Sequence, residues 1–105
     1  MITINLPKTE QKSVINNRTE SWAFKFDKIL HNVSQEEIFE YCAKEIIHKS
    51  IGGFNGTVFA YGQTGSGKTF TMSGSPNNYN YRGIIPRYLF LYNQSDYTSF
   101  SRDRV

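Results

Sequence analysis

The sequence has little cysteine: Cys42 stands alone among 105 residues, which excludes an intrachain disulfide. Long apolar runs are lacking too, and nothing approaches the roughly 18 apolar residues that a membrane-spanning helix needs. The opening M-I-T-I-N-L-P-K-T-E-Q-K has neither the charged head nor the apolar block of a secretory signal. The expectation is a soluble intracellular chain with no membrane partner. The N-x-[ST] triplets at Asn17, Asn32, Asn55 and Asn93 then read as chance matches. Charge of one sign is also scarce. A net charge of +3, dispersed without a long basic run, is what a solvated surface carries, and no nucleic-acid partner is expected.

Aromatics, by contrast, make up 15% and hydrophobic residues 38%, material for one small domain. Ile2 to Leu6 reads as a short edge strand ended by Pro7. Residues 16–21, N-N-R-T-E-S, read as a turn. In W-A-F-K-F-D, Trp22, Phe24 and Phe26 alternate with Ala23, Lys25 and Asp27, the period of a strand buried on one face. Ser34 and Glu37 are spaced as a capping box. Ile38, Phe39, Cys42, Ala43, Ile46 and Ile47 follow at helical spacing, which makes Cys42 a packing residue. No His or Lys stands beside it to activate a thiolate. Gly52-Gly53 supplies the helix's C-terminal cap.

Asn55-Gly56 turns the chain into Thr57-Val58-Phe59-Ala60-Tyr61, a run suited to a strand covered on both faces, as in parallel sheets. Residues 62–69 follow at once: G-Q-T-G-S-G-K-T, the pattern G-x-x-x-x-G-K-[ST]. Phe70, Thr71 and Met72 continue into a helix. The order strand, capped helix, strand, glycine loop, helix indicates an α/β fold of βαβ construction. Ser73 to Tyr81 reads as a loop, and a helix restarts near Ile84-Ile85-Pro86-Arg87, with Pro86 suited to its first position. Residues 93–105 are polar and unpatterned, and are expected to form a disordered tail.

The glycine octapeptide carries chemistry. Gly62, Gly65 and Gly67 permit turns and close backbone approach, so that successive amides converge on phosphate oxygens at a helix N-terminus. Lys68 reaches the β- and γ-phosphates, and the Thr69 hydroxyl is of the type that ligates Mg²⁺. Gln63, Thr64 and Ser66 mainly offer backbone amides. A glycine-rich surface turn is the plain alternative, but chance produces this pattern on the order of once in a few hundred chains of this length. The flanking strand and helix are also the context the motif requires. Hydrolysis needs more: a metal-side carboxylate at the end of another apolar strand, and a group that orients water. Asp27 ends an upstream alternating strand, while Asp96 and Asp103 fall in the unpatterned end. No catalytic set is complete in this chain.

The stretch F-N-G-T-V-F-A-Y-G-Q-T-G-S-G-K-T-F-T-M-S-G (54–74) resembles the phosphate-loop region of kinesin motor domains. Its flanks do as well. F-K-F-D-K-I-L (24–30) resembles the strand before that family's first main helix, S-Q-E-E-I-F-E-Y-C-A-K-E-I-I-H-K-S-I-G-G-F-N-G that helix and its exit, and R-G-I-I-P-R (82–87) the restart of its second helix. The wording N-N-R-x-E-S-W-x-F-K-F is similar to the kinesin-nine subfamily, associated with cilia and flagella. Matched motifs cover roughly residues 16–87.

The resemblance implies a P-loop NTPase fold, with residues 1–92 as an incomplete motor domain, and ATP with Mg²⁺ as ligands. It also implies microtubules as the partner and a place in the cytoplasm on the cytoskeleton. Gly62, Gln63, Thr64, Gly65, Ser66, Gly67, Lys68 and Thr69 would contact phosphates and metal. Phe70 would stand where the family sets a ring against adenine, or would be an ordinary packing aromatic. The family's R-x-R-P strand end and its N-x-x-S-S-R-x-H and D-L-A-G-x-E switches find no match. The expectation is therefore the first quarter to third of a motor domain, inactive in isolation. The alternatives are a P-loop module that only binds phosphate or nucleotide, and a non-functional fragment.

Overall fold

The computed structural model describes residues 1–5 and 21–102, with side chains as far as residue 96. Two compact units divide the chain, Met1–His31 and Asn32–Val105. The first carries strands β1 (Ile2–Asn5) and β2 (Ser21–Phe24), paired antiparallel with Ile4 opposite Trp22 and Ile2 opposite Phe24. Alternation puts these four apolar side chains on one face of the ribbon. The alternating strand is thus shorter than expected, and its aromatic face is not buried: Trp22, Phe24 and Phe26 are all exposed. A two-stranded ribbon has no second layer to cover a face. Leu6, Pro7 and residues 16–20 of the turn expected at 16–21 lie outside the described residues, while Ser21 belongs to β2 rather than to a turn.

The second unit opens with α1 (Gln35–Ile38), which passes through a π-helical turn (Phe39–Ala43) into α2 (Lys44–Ile51). The capping box is present in full: Ser34 Oγ accepts from the Glu37 amide at 3.2 Å, and Glu37 Oε2 accepts from the Ser34 amide at 2.8 Å. The Ser34 amide, and after it the Ser34 hydroxyl donating to the same Oε2 at 3.0 Å, lower the Glu37 carboxyl pKa from its ordinary value. The helix ends in a Schellman motif. Phe54 N–H reaches the Lys49 carbonyl and Gly53 N–H that of Ser50, with Gly53 at φ +101°, a conformation glycine adopts without penalty.

The π turn changes which side chains face inward. Lys44 N–H bonds the Phe39 carbonyl, five residues back, so one extra residue enters the turn and shifts the phase by about 100°. Phe39, Ala43 and Ile47 become buried and form the core with Ile84. Cys42, expected in the apolar stripe, is rotated out and exposed. Ile38, Ile51, Val58, Met72, Tyr88 and Leu91 pack around the core.

Thr57–Tyr61 corrects the sequence reading. The segment forms no strand ladder among the described residues. Val58 and Ala60 are half-buried while Phe59 and Tyr61 are 80% and 94% exposed, so the alternation of an extended chain persists without a paired neighbour. Gly56 lets it pass α2, because a Cβ there would come within 2.5 Å of Ile46 Cγ2.

After α3 (Lys68–Met72) the chain loops out through a 3₁₀ turn (Tyr79–Tyr81) and returns to α4 (Ile84–Arg102). Outgoing and returning limbs cross at an isolated bridge, Gly74 to Arg82. The crossing is backbone on backbone, since a Cβ on Gly83 would lie 2.5 Å from the Met72 carbonyl carbon. Ile84, Tyr88 and Leu91 present α4's inner stripe to the core. Pro86 occupies the third helical position rather than the first, still within the turn where a missing N–H costs nothing. The expectation of a disordered tail from residue 93 is corrected as far as Arg102, where α4 ends.

Candidate functional site: the glycine loop

Between Tyr61 and α3 the chain forms a tight loop whose conformation follows from its glycines. Gly65 and Gly67 have φ +81° and +94°, values at which an L side chain costs roughly 1–2 kcal/mol. A Cβ on either would meet nothing within 4 Å, so the space beside the loop is open. Gly62 is needed for a different reason: its Cβ would lie 2.6 Å from Ser66 Oγ. Ser66 N–H donates to the Gln63 carbonyl at 3.1 Å, closing the turn. Gln63 and Thr64 are exposed on its rim.

Lys68 opens α3, with its ammonium folded onto the loop. Nζ donates to the carbonyls of Gly62 and Gln63, each at 2.7 Å. The positive charge is thus stationed at the loop's mouth by two charge-assisted bonds. Thr69 is exposed beside it. The Phe70 ring is 47% exposed, with its centroid 6.1 Å from that of Tyr81 at a 55° tilt. The structure therefore gathers Gly62 to Phe70 into one continuous feature. Asp27 lies in the other unit, Asp96 is on α4, and Asp103 is outside the described residues. No group of three or more His, Cys, Asp or Glu suited to a metal occurs among the described residues.

Sequence reasoning missed Gln35. It is 6% exposed, and its Nε2 donates to the Phe70 carbonyl at 2.6 Å and, at 3.4 Å, to that of Tyr81. A signal existed: Gln35 precedes Phe39, Ala43 and Ile47 at successive steps of four, a polar residue on the buried face. Buried amides of this kind are bonded.

A loop of this pattern, with left-handed glycines and a lysine at the head of a helix, defines the P-loop class. A family model described as "Kinesin motor domain" matches residues 2–101, and the chain belongs to that family, whose fold is the P-loop NTPase α/β class. Mouse "Kinesin-like protein KIF9" is 48% identical over 88 residues, 84% of this chain and 11% of that protein. "Kinesin-like protein KLP1" of Chlamydomonas reinhardtii is 49% identical over 86 residues, 82% of this chain and 11% of the relative. "Kinesin heavy chain" of Strongylocentrotus purpuratus is 54% identical over 63 residues, 59% of this chain and 6% of the relative. The chain thus matches about a tenth or less of each relative's length.

Proposed function

We propose that the chain is the ATP-binding portion of a microtubule motor of the kinesin-nine type, in which ATP hydrolysis drives movement along microtubules in the complete protein. The observation that carries this reading is the loop itself. Lys68 is anchored on the loop's own carbonyls, and a Cβ on Gly65 or Gly67 would meet no atom within 4 Å, so the same loop has open space beside it. The donor set fits Mg·ATP. The amides from Gly62 to Thr69 would receive phosphate oxygens, Lys68 would offset charge on the outer phosphates, and the Thr69 hydroxyl would ligate Mg²⁺. Phe70, exposed and beside Tyr81, would flank the base. The metal ion and phosphates supply the electrophilic centre; these residues bind and orient it. The place of work is the microtubule cytoskeleton, with cilium or flagellum the compartment that the kinesin-nine resemblance implies.

The 105 residues contain neither the N-x-x-S-S-R-x-H nor the D-L-A-G-x-E motif, so this chain alone should bind without turnover. Titrating Mg·ATP during thermal unfolding tests the binding. A ligand that binds only the folded state stabilises it by about 2.7 kcal/mol at a hundredfold excess over Kd. A midpoint that does not move up to millimolar nucleotide contradicts the proposal.

A further inference from the structure

We propose that Gln35 is a positioning residue for the phosphate loop, acting as the cap of the helix that carries Lys68 and Thr69. The inference rests on the nucleotide-binding reading above.

α3 has five residues, too few to be stable by itself, and its last carbonyls have no partner within the helix. The Thr69 carbonyl is satisfied twice, by Ser73 N–H at 2.8 Å and Gly74 N–H at 3.2 Å. The Gly74 amide would serve Phe70 if the helix continued. Gly74 instead lies at φ +76° and turns the chain away. The Phe70 carbonyl therefore faces inward, and Gln35 Nε2 meets it at 2.6 Å from another helix. Both neighbours of the amide are carbonyls, so its nitrogen rather than its oxygen must face them.

The second neighbour gives this contact its reach. The Tyr81 carbonyl, 3.4 Å from Nε2, also accepts Ser75 N–H at 3.0 Å. One amide thus touches both the end of α3 and the returning limb of the 73–83 loop, beside their crossing. Phe70 immediately follows Lys68 and Thr69, so a cap released at Phe70 lets the turn bearing both side chains fray. The effect of removing Gln35 is accordingly on the fit of the loop to phosphate, beyond any loss of stability.

The test uses the whole 105-residue chain. Gln35→Met keeps side-chain length and removes the donor; Gln35→Glu keeps shape and sets a carboxylate against two carbonyls. Mg·ATP affinity is measured by calorimetry well below each unfolding midpoint, where every molecule is folded. The expected result is about tenfold weaker binding for both variants. A lower midpoint with unchanged Kd would show a purely structural residue and overturn the inference. Wild-type chain that binds no nucleotide overturns the underlying reading and this inference with it, whereas wild-type binding with equally tight variants overturns this inference alone. Hydrogen exchange on the wild type needs no variant. With α3 capped, the Ser73 and Gly74 amides exchange only as fast as those of Ala43 and Ile47; faster local exchange contradicts the cap.

Discussion

Two glycines with nearly the same backbone angle should respond differently to alanine. Gly65 and Gly74 have φ +81° and +76°, so Gly→Ala carries the same left-handed penalty at both, roughly 1–2 kcal/mol. A gain of about 0.4–1 kcal/mol from stiffening the unfolded chain partly offsets it. At Gly65 nothing further is added, because the new methyl meets no atom within 4 Å. At Gly74 it would overlap the Tyr81 carbonyl oxygen and the Gly83 nitrogen and lie 2.8 Å from the Arg82 carbonyl carbon. These are backbone atoms that cannot step aside, and overpacking of this kind costs about 1–3 kcal/mol more. Urea unfolding followed by far-ultraviolet circular dichroism should give a loss near 1 kcal/mol for Gly65→Ala and about 2–4 kcal/mol for Gly74→Ala. Nucleotide binding should reverse the order. The Gly65 methyl projects into the space beside the loop and should abolish Mg·ATP binding in a protein that remains folded. Equal destabilisation by the two variants would refute the crossing at Gly74, and full binding by Gly65→Ala would refute the placement of the ligand.

Lys68→Ala removes the ammonium with its two bonds to the carbonyls of Gly62 and Gln63, so it should eliminate Mg·ATP binding in a protein that remains folded by far-ultraviolet circular dichroism. Ser34→Ala removes one half of the capping box and should cost about 1 kcal/mol in urea unfolding. Glu37 has a depressed carboxyl pKa, owing first to the Ser34 amide bond. Its contribution is therefore present above the ordinary carboxylate pKa and lost as pH falls through the lower folded value. Gln at position 37 keeps the bond without the charge, so Glu37→Gln should flatten part of the wild-type fall in midpoint in that acid range. In a coupled phosphate-release assay the wild-type chain should show no ATP turnover with or without microtubules; turnover abolished by Lys68→Ala would refute that.

How much of this was legible depended on how local each cause is. The Ser34 cap, the Gly52-Gly53 exit and the glycine loop are each fixed by residues a few positions apart, and each was readable. Cys42 was misplaced because periodicity assumes a uniform helix. The π turn, closed by the bond from Lys44 to the Phe39 carbonyl, leaves no signature in an apolar stripe. The strand expected at 57–61 depends on a pairing partner, which its own composition cannot supply. Residues 93–102 looked unpatterned because all but Phe100 have polar side chains or, at Tyr97, a polar tip. A helix already formed from Ile84 nevertheless extends with little further cost where neither glycine nor proline intervenes, and Ser95 Oγ bonds back to the Tyr92 carbonyl at 2.7 Å within it. Gln35 shows the converse: the residue lay in a quoted motif, but its use is decided by a carbonyl on another helix.

The central claim is that residues 62–70 receive Mg·ATP. Two-dimensional amide spectra of isotopically labelled chain, recorded through a Mg·ATP titration, address it residue by residue. Saturable shifts of the amides from Gly62 to Phe70, lost in Lys68→Ala, are expected. Shifts scattered away from the loop, or a loop whose amides do not respond, would contradict it.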